Sequence, residues 1–524
     1  MKGFFSLVLH HHLPFIKHPE YDYFYEENWL FEAVIESYVP LLMKLYALEK
    51  EGVKFKLTCS LSPPLCEMLR DTELKEKLKN YVERLITLAG KEESRLKNNP
   101  KFLKLAQFYG DRFKGIKDFI EKELNWDILE GYRRLKEKGA IEITTCGATH
   151  GLLPALRTVP EAVITQVRVA VKNFKKHFGF EPKGMWLPEC GYYPEVEKIL
   201  REFGIKFFFL DSHGLLYGKP FPKYGVYAPV ETQEGLFAFA REPESSKQVW
   251  SAKEGYPGDP WYREFYRDIG FDLPIEEVKD FINPDGTRTY TGIKYYRITG
   301  NVSLGKKEPY EPSKALERAR EHADHYHFCL DKRIDYVKGI INRKPLIVAP
   351  FDAELFGHWW FEGNDFIYYL MRNFNKYKVI EATTPSEYLE REKDFPKSQP
   401  AVSSWGDKGY FDVWVNAKND WIYPYLHDMA LILNGIKRGK QFKGKERILN
   451  QMLRELLLAQ SSDWSFLITT GTAGNYPIRR LKEHISNFYK LKEMLEGKVN
   501  EEFLGKLERK NSIFQEIDFW KDWG

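Results

Sequence analysis

The chain has 524 residues, 43% hydrophobic and 29% charged, enough to bury large cores and too apolar for a disordered tail. Its 79 Lys and Arg against 75 Asp and Glu leave a formal charge of +4, spread too thinly for a nucleic-acid footprint. No apolar run nears the roughly 18 residues of a bilayer span, and Gly3 to Leu9 runs into His10, His11 and His12 instead of a cleavage site, so neither a membrane span nor a signal peptide is expected.

Short β-branched or aromatic runs recur along the chain, each followed by polar or glycine-rich residues and then by a helical pattern. They are Phe4 to Leu9, Val53 to Thr58, Ile141 to Thr145, Gly184 to Leu187, Lys206 to Leu210, Tyr295 to Ile298, Leu346 to Val348 and Tyr377 to Ile380. Continuous apolar strands alternating with helices predict a parallel sheet covered on both faces, and this many predict a barrel. The stretch from about 71 to 132 is Lys/Glu-rich and helical in period, too long for a loop, and reads as a helical insertion. Trp421 to Arg438, Lys445 to Ser461 and Ile478 to Glu496 predict a C-terminal helical region. We expect a catalytic barrel over 1–404 and a helical domain over 405–524, with the seam in the Lys397 to Ser404 loop.

Barrel enzymes build their sites at the C-terminal ends of the strands. His10 and His12, Thr149 and His150, Glu189, Asp211 with His213, and Asp352 all follow predicted strands and are expected to converge on one mouth. Glu189 sits between Pro188 and Gly191 in a fixed turn, well placed for a nucleophile. Asp352 supplies a second carboxylate, beside aromatic walls from Phe351, Trp359 and Trp360. Two such carboxylates are the minimum for glycosidic bond cleavage: one ionised to attack, one with a raised pKa to protonate the leaving oxygen. The 15% of aromatic residues, with many Trp and Tyr clustered, suits a sugar-binding cleft. The histidines leave open a metal-dependent polysaccharide deacetylase. No HExxH occurs, however, and His10 and His12 point opposite to His11, so no metal and no cofactor is expected. Five scattered cysteines without a CxxC pair fit a reducing cytoplasm, and interleaved Lys and Glu are of the kind enriched in thermophiles.

His10 to Pro14, Gly147-Ala148-Thr149-His150-Gly151, Trp186 to Tyr192, Pro350 to Glu362 and Ser403-Ser404-Trp405-Gly406 resemble the five ordered motifs of glycoside hydrolase family 57. The second and fourth motifs resemble the subgroup of 1,4-α-glucan branching enzymes and the α-amylase C type. The resemblance implies an incomplete (β/α)7 barrel of the TIM type, a helical insertion, a C-terminal helical domain that contributes to the cleft, and a retaining mechanism without metal acting on an α-glucan such as amylose or glycogen. By position, Glu189 matches the family nucleophile and Asp352 the general acid/base, about 5 to 5.5 Å apart in a retaining enzyme. His12 and His150 match pocket histidines, and Arg263, Trp405 and Asp463 fall where the subgroup binds substrate. Trp29 and Trp414 are expected sugar platforms, and His10, Asp211, Trp359 and Trp360 complete the expected substrate-binding set.

Branching and hydrolysis share the cleavage half-reaction and differ in whether a glucan 6-hydroxyl or water arrives next. In branching members of the subgroup a loop over the site carries a tyrosine. Here the corresponding stretch, near 216–227, is short, with Tyr217, Tyr224 and Tyr227 as candidates. Subgroup and compartment favour branching; the short loop favours an amylase-type hydrolase.

Overall fold

The computed structural model describes residues 1–251 and 254–524. β1 (Gly3–His11) is buried along its whole length, as a strand with neighbours on both sides and layers on both faces must be. It lies parallel between β2 (Leu57–Leu61) and β8 (Leu346–Asp352). β3 (Ile141–Cys146), β4 (Gly184–Trp186), β5 (Phe207–Leu210) and β7 (Phe237–Ala240) extend the parallel sheet beyond β2. The short β6 (Val230–Glu231) runs antiparallel on the outer edge of β7, and β9 (Ile380–Ala382) pairs with the start of β1. The order is β6-β7-β5-β4-β3-β2-β1-β8. Between β7 and β8 no ladder forms among the described residues; Glu242 N donates to Val348 O across the gap at 2.9 Å. The sheet is thus the incomplete TIM-like barrel that was expected.

Three predicted strands need correction. Of Tyr377 to Ile380, Tyr377 ends the helix Gly363–Tyr377 and only Ile380 lies in β9. Val53 N caps the preceding helix by donating to Leu48 O, so the second strand starts only at Leu57. Tyr295 to Ile298 is no barrel strand. It belongs to an irregular arm where Arg297 and Tyr296 make isolated bridges to Arg263 and Pro309, and Tyr295 turns its hydroxyl to Glu92 of the insertion at 3.0 Å. The place in the sheet is taken by Phe237–Ala240, a run in which two alanines dilute the strand pattern.

The insertion between β2 and β3 forms helices Thr72–Arg95, Pro100–Asp118 and Ile128–Glu137, the first capped by Asp71, which accepts from Glu73 N and Leu74 N. C-terminal helices Ile422–Gly439, Glu446–Ala459, Ser462–Thr470, Tyr476–Glu496 and Glu501–Lys510 surround the largely buried Glu446–Ala459. They join the barrel at its mouth. Ser462 N donates to His150 O at 3.0 Å, and Thr149 Oγ1 bonds Leu457 O. No described helix is long and apolar enough to cross a membrane.

Candidate active site

β4 ends in Trp186, and the chain turns at once through Pro188, Glu189 and Cys190. Glu189 and Cys190 both adopt left-handed backbone, φ 61° and 49°, a conformation costly for non-glycine residues and one that aims the Glu189 side chain back over the strand ends. Trp405 Nε1 donates to Glu189 Oε2 at 2.8 Å and Ser462 Oγ to Oε1 at 2.8 Å. Burial raises Glu189 to about 7, against the pull of these two donors and with a further push from the Asp463 and Asp352 charges.

Asp352 ends β8 in register with His10 on β1. Its carboxylate opens to the cleft. The protein crowded round the cleft floor still raises it to about 6, with Arg241 and His12 opposing. Two residues on, Glu354 Oε1 accepts from His12 N at 3.2 Å and from the Tyr38 hydroxyl. Desolvation and the Asp352 charge push Glu354 to about 8.

The three pocket histidines are stacked. His10 lies on Trp186 with centroids 4.6 Å apart, and His12 lies on His150 at 3.8 Å. His10 Nε2 and His150 Nε2 share a hydrogen bond of 3.0 Å, and His150 Nδ1 meets Ser462 Oγ at 2.8 Å. Desolvation holds His10 and His150 well below the ordinary histidine value. His12 goes the other way: desolvation lowers it, but Asp463, 2.9 Å from Nε2, outweighs burial and raises it. Asp463, pushed up by burial, is pulled down by His12 to about 2.

The site therefore gathers Glu189, Asp352, His10, His12, His150, Trp405 and Asp463 from both the barrel and the C-terminal helices. Asp211 sits one layer out, binding Arg241 at 3.2 Å, and Arg241 in turn covers the Trp405 ring at 5.1 Å. Trp29 and Trp359 line a cavity of ≈ 510 Å³ that Glu354 also lines; Trp359 is 54% exposed and stacks on Phe265 at 4.5 Å.

Three expectations are corrected. Trp360, 1% exposed, is packed among Tyr262, Phe356 and Phe366 and offers no face to a sugar. Trp414, 2% exposed, lies under Gly406, where a Cβ would stand 2.9 Å from the indole; it is a pillar beneath the Trp405 loop. Arg263 is also enclosed: Nη2 binds Glu36 at 3.1 Å, and Glu36 binds His358 Nδ1 at 2.6 Å, so Arg263 reaches the cleft only through these partners. Sequence reasoning missed Glu354, Ser462 and Arg241 as site residues. Glu354 lies inside the Pro350 to Glu362 motif, Ser462 directly precedes Asp463, and Arg241 directly follows the missed β7.

The sequence profile of glycosyl hydrolase family 57 matches residues 6–399, and that of the 1,4-alpha-glucan branching enzyme C-terminal region matches 425–521. A 1,4-alpha-glucan branching enzyme of Thermococcus kodakarensis is 34% identical over 99% of this chain and 78% of its own length. The crystal structure of the α-amylase AmyC of Thermotoga maritima superposes with a TM-score of 0.93 at 45% identity, covering 100% of this chain and 99% of that one. The GH57-type branching enzyme of Pyrococcus horikoshii superposes with a TM-score of 0.88 at 34% identity, covering 100% and 97%. With three quarters of its length matched by the family profile and its fold shared end to end with a GH57-type branching enzyme, the chain belongs to glycoside hydrolase family 57.

Proposed function

We propose that the chain is a 1,4-α-glucan branching enzyme that works by double displacement. The observation that carries this reading is the pair Glu189 and Asp352, presented at the ends of β4 and β8 in one cleft. Glu189 attacks the anomeric carbon while Asp352 gives its proton to the departing 4-oxygen, leaving a glycosyl ester on Glu189. Asp352, now a carboxylate, takes the proton of a glucan 6-hydroxyl, whose oxygen displaces Glu189 and forms the α-1,6 bond. Trp405 and Ser462 hold Glu189 in line and favour its anion. Named relatives with branching activity support the choice of acceptor. The substrate is then an α-glucan of the amylose or glycogen kind. We place the enzyme in the cytoplasm, where its free cysteines stay reduced.

One observation favours the second reading, an α-glucan hydrolase. The segment 216–227 is pinned: Lys219 and Gln399 exchange backbone hydrogen bonds, each of 2.9 Å, which leaves little freedom for a lid, while Tyr217 stands 59% exposed. AmyC, whose name is that of an amylase, is the counterpart at 45% identity. Incubation with amylose, scoring α-1,6 linkages by proton NMR and reducing ends in the same tube, separates the two. New α-1,6 signal with few reducing ends is expected; reducing ends alone would replace branching by hydrolysis. Silence in both would remove the glucan-active assignment.

A further inference from the structure

The cavity that Glu354 lines contains a second polar centre, and neither Glu189 nor Asp352 lines it. Lys294 is 3% exposed, lines the cavity, and lies over the rings of Phe265 and Tyr290 at 4.1 and 4.7 Å. Its ammonium makes no hydrogen bond or ion pair with any described residue; the Glu36, Asp268 and Glu32 carboxylates act on it only through space. Glu32 also lines the cavity without a hydrogen-bond partner among the described residues, and burial beside Glu36 raises it well above the ordinary carboxylate range. Aromatic faces account for the stem and part of the charge of Lys294, but leave its three N–H donors at the cavity wall without a protein partner among the described residues.

The position of Lys294 is not accidental. The Thr291–Gly292 turn before it is held by Asp268, which accepts from Thr291 N at 2.9 Å, Thr291 Oγ1 at 2.7 Å and Gly292 N at 2.9 Å. A rigid backbone thus delivers an unpaired donor, opposite an unpaired acid, into an aromatic-walled space of ligand size.

The two unpaired groups constrain what fits. An anion meets Glu32 and Glu36; a cation meets Lys294. A neutral ligand bearing both hydroxyl donors and acceptors, with an apolar face to lie on Trp29 and Trp359, satisfies all of them, which describes a sugar chain. The side of the cavity lined by Glu354 fixes which chain. Asp352 protonates the leaving oxygen and afterwards deprotonates the incoming hydroxyl, so leaving group and acceptor occupy the same side, that of Asp352. Glu354, two residues beyond Asp352, and Leu13, next to His12, line the cavity.

We propose that this cavity is the acceptor arm of the cleft, in which Lys294 and Glu32 hydrogen-bond hydroxyls of the incoming α-glucan chain. The proposal rests on the α-glucan reading above and adds to it the residues that choose acceptor over water.

The test varies a fluorescently tagged maltooligosaccharide acceptor at fixed amylose. In Lys294→Met and Glu32→Met, which keep most of the volume and remove the hydrogen-bonding head, the acceptor KM is expected to rise about tenfold and the ratio of α-1,6 linkages to reducing ends to fall about fivefold, the loss of one buried hydrogen bond in each case. Lys294→Arg, which keeps the donor, is expected to retain more transfer than Lys294→Met. An acceptor KM unchanged within about twofold in both methionine variants would overturn the proposal, since a lost buried hydrogen bond exceeds that. If the wild type only hydrolyses, the branching reading has failed on its own, and the arm is tested by binding of maltoheptaose to Glu189→Gln protein. About tenfold weaker binding on adding Lys294→Met supports the arm, and equal binding overturns it.

Discussion

Trp405 donates to Glu189 twice, its backbone N–H to the carbonyl oxygen at 2.9 Å and its indole Nε1 to Oε2 at 2.8 Å. One residue thus fixes both the strained turn and the carboxylate that the turn presents. Because the indole bond stabilises the anion, its removal moves Glu189 upward. Trp405→Phe, which keeps the ring and the backbone bond, is expected to shift the acid limb of kcat/KM to higher pH by about one unit, as befits a hydrogen bond to a charged group worth about 1.5 kcal/mol. A pH-rate profile superposable on the wild type would mean that the indole serves packing alone.

The two carboxyls have overlapping titrations in the free protein, with Glu189 raised to about 7 and Asp352 to about 6. In the proposed double displacement, cleavage needs Glu189 ionised and Asp352 protonated. Asp352 is the one open to cleft water, so a bound glucan strips water from it, while Glu189 keeps its Trp405 and Ser462 donors. Substrate binding therefore separates the pair in the productive direction. The basic limb of kcat, which reports the complex, is expected about one unit above that of kcat/KM, which reports the free enzyme. Coincident limbs would assign the acid to another group.

Much of the barrel is legible in the sequence because buried parallel strands are plain apolar runs: β1 and β8 announce themselves, and so do Glu189 and Asp352 after strand ends. β7 is not legible, since Phe237-Ala238-Phe239-Ala240 has half its positions filled by a weak strand former, and with it Arg241 is lost from view. Tryptophans mislead for a different reason. Composition cannot distinguish the exposed Trp359 from Trp360 beside it, because one step along the turn exchanges cleft for core. Lys294 gives no local signal at all. Its placement depends on Asp268 and on an irregular arm whose partners are distant in the chain.

The Asp463–His12 pair ties the C-terminal helices to β1 at the cleft, with the acid held at about 2 and the histidine raised. Removing the acid leaves a partly buried histidine without its counter-charge. Asp463→Asn is expected to cost about 2 kcal/mol of stability at neutral pH and to lower the pKa of His12. As the folded acid lies below its unfolded value of 3.8, its stabilisation is present above that pH and is lost as pH falls through about 2. Urea unfolding at pH 7 and at pH 2 checks this: wild type and variant should differ at the first and converge toward the second. NMR titration of the histidine ring follows the second effect.

His10, His12 and His150 place ligand atoms within 4.8 Å of one another, close enough to suggest a metal site and a deacetylase chemistry. The ring planes argue otherwise. A coordinating nitrogen points its lone pair along its own ring plane, and the planes of His12 and His150 are stacked 3.8 Å apart at 13°, those of His10 and His12 at 18°, so the lone pairs run side by side and do not meet at an ion. The nitrogens are also in use: His12 binds Ser62 and Asp463, His150 binds Ser462 and His10, and His10 binds Ser60. We therefore expect exhaustive chelation to leave glucan turnover within about twofold, and added zinc to inhibit by drawing the histidines out of their stack, since a catalytic zinc would do the opposite on both counts. Turnover abolished by chelation and restored by one equivalent of zinc would return the metal-dependent reading. The same stack predicts what the histidines do without a metal. Desolvated and neutral, His150 holds Ser462 against Glu189 through Nδ1 while its Nε2 is tied to His10. His150→Ala should therefore lose turnover by about 100-fold while also raising the pKa that governs the acid limb, a joint effect that the loss of packing alone would not produce.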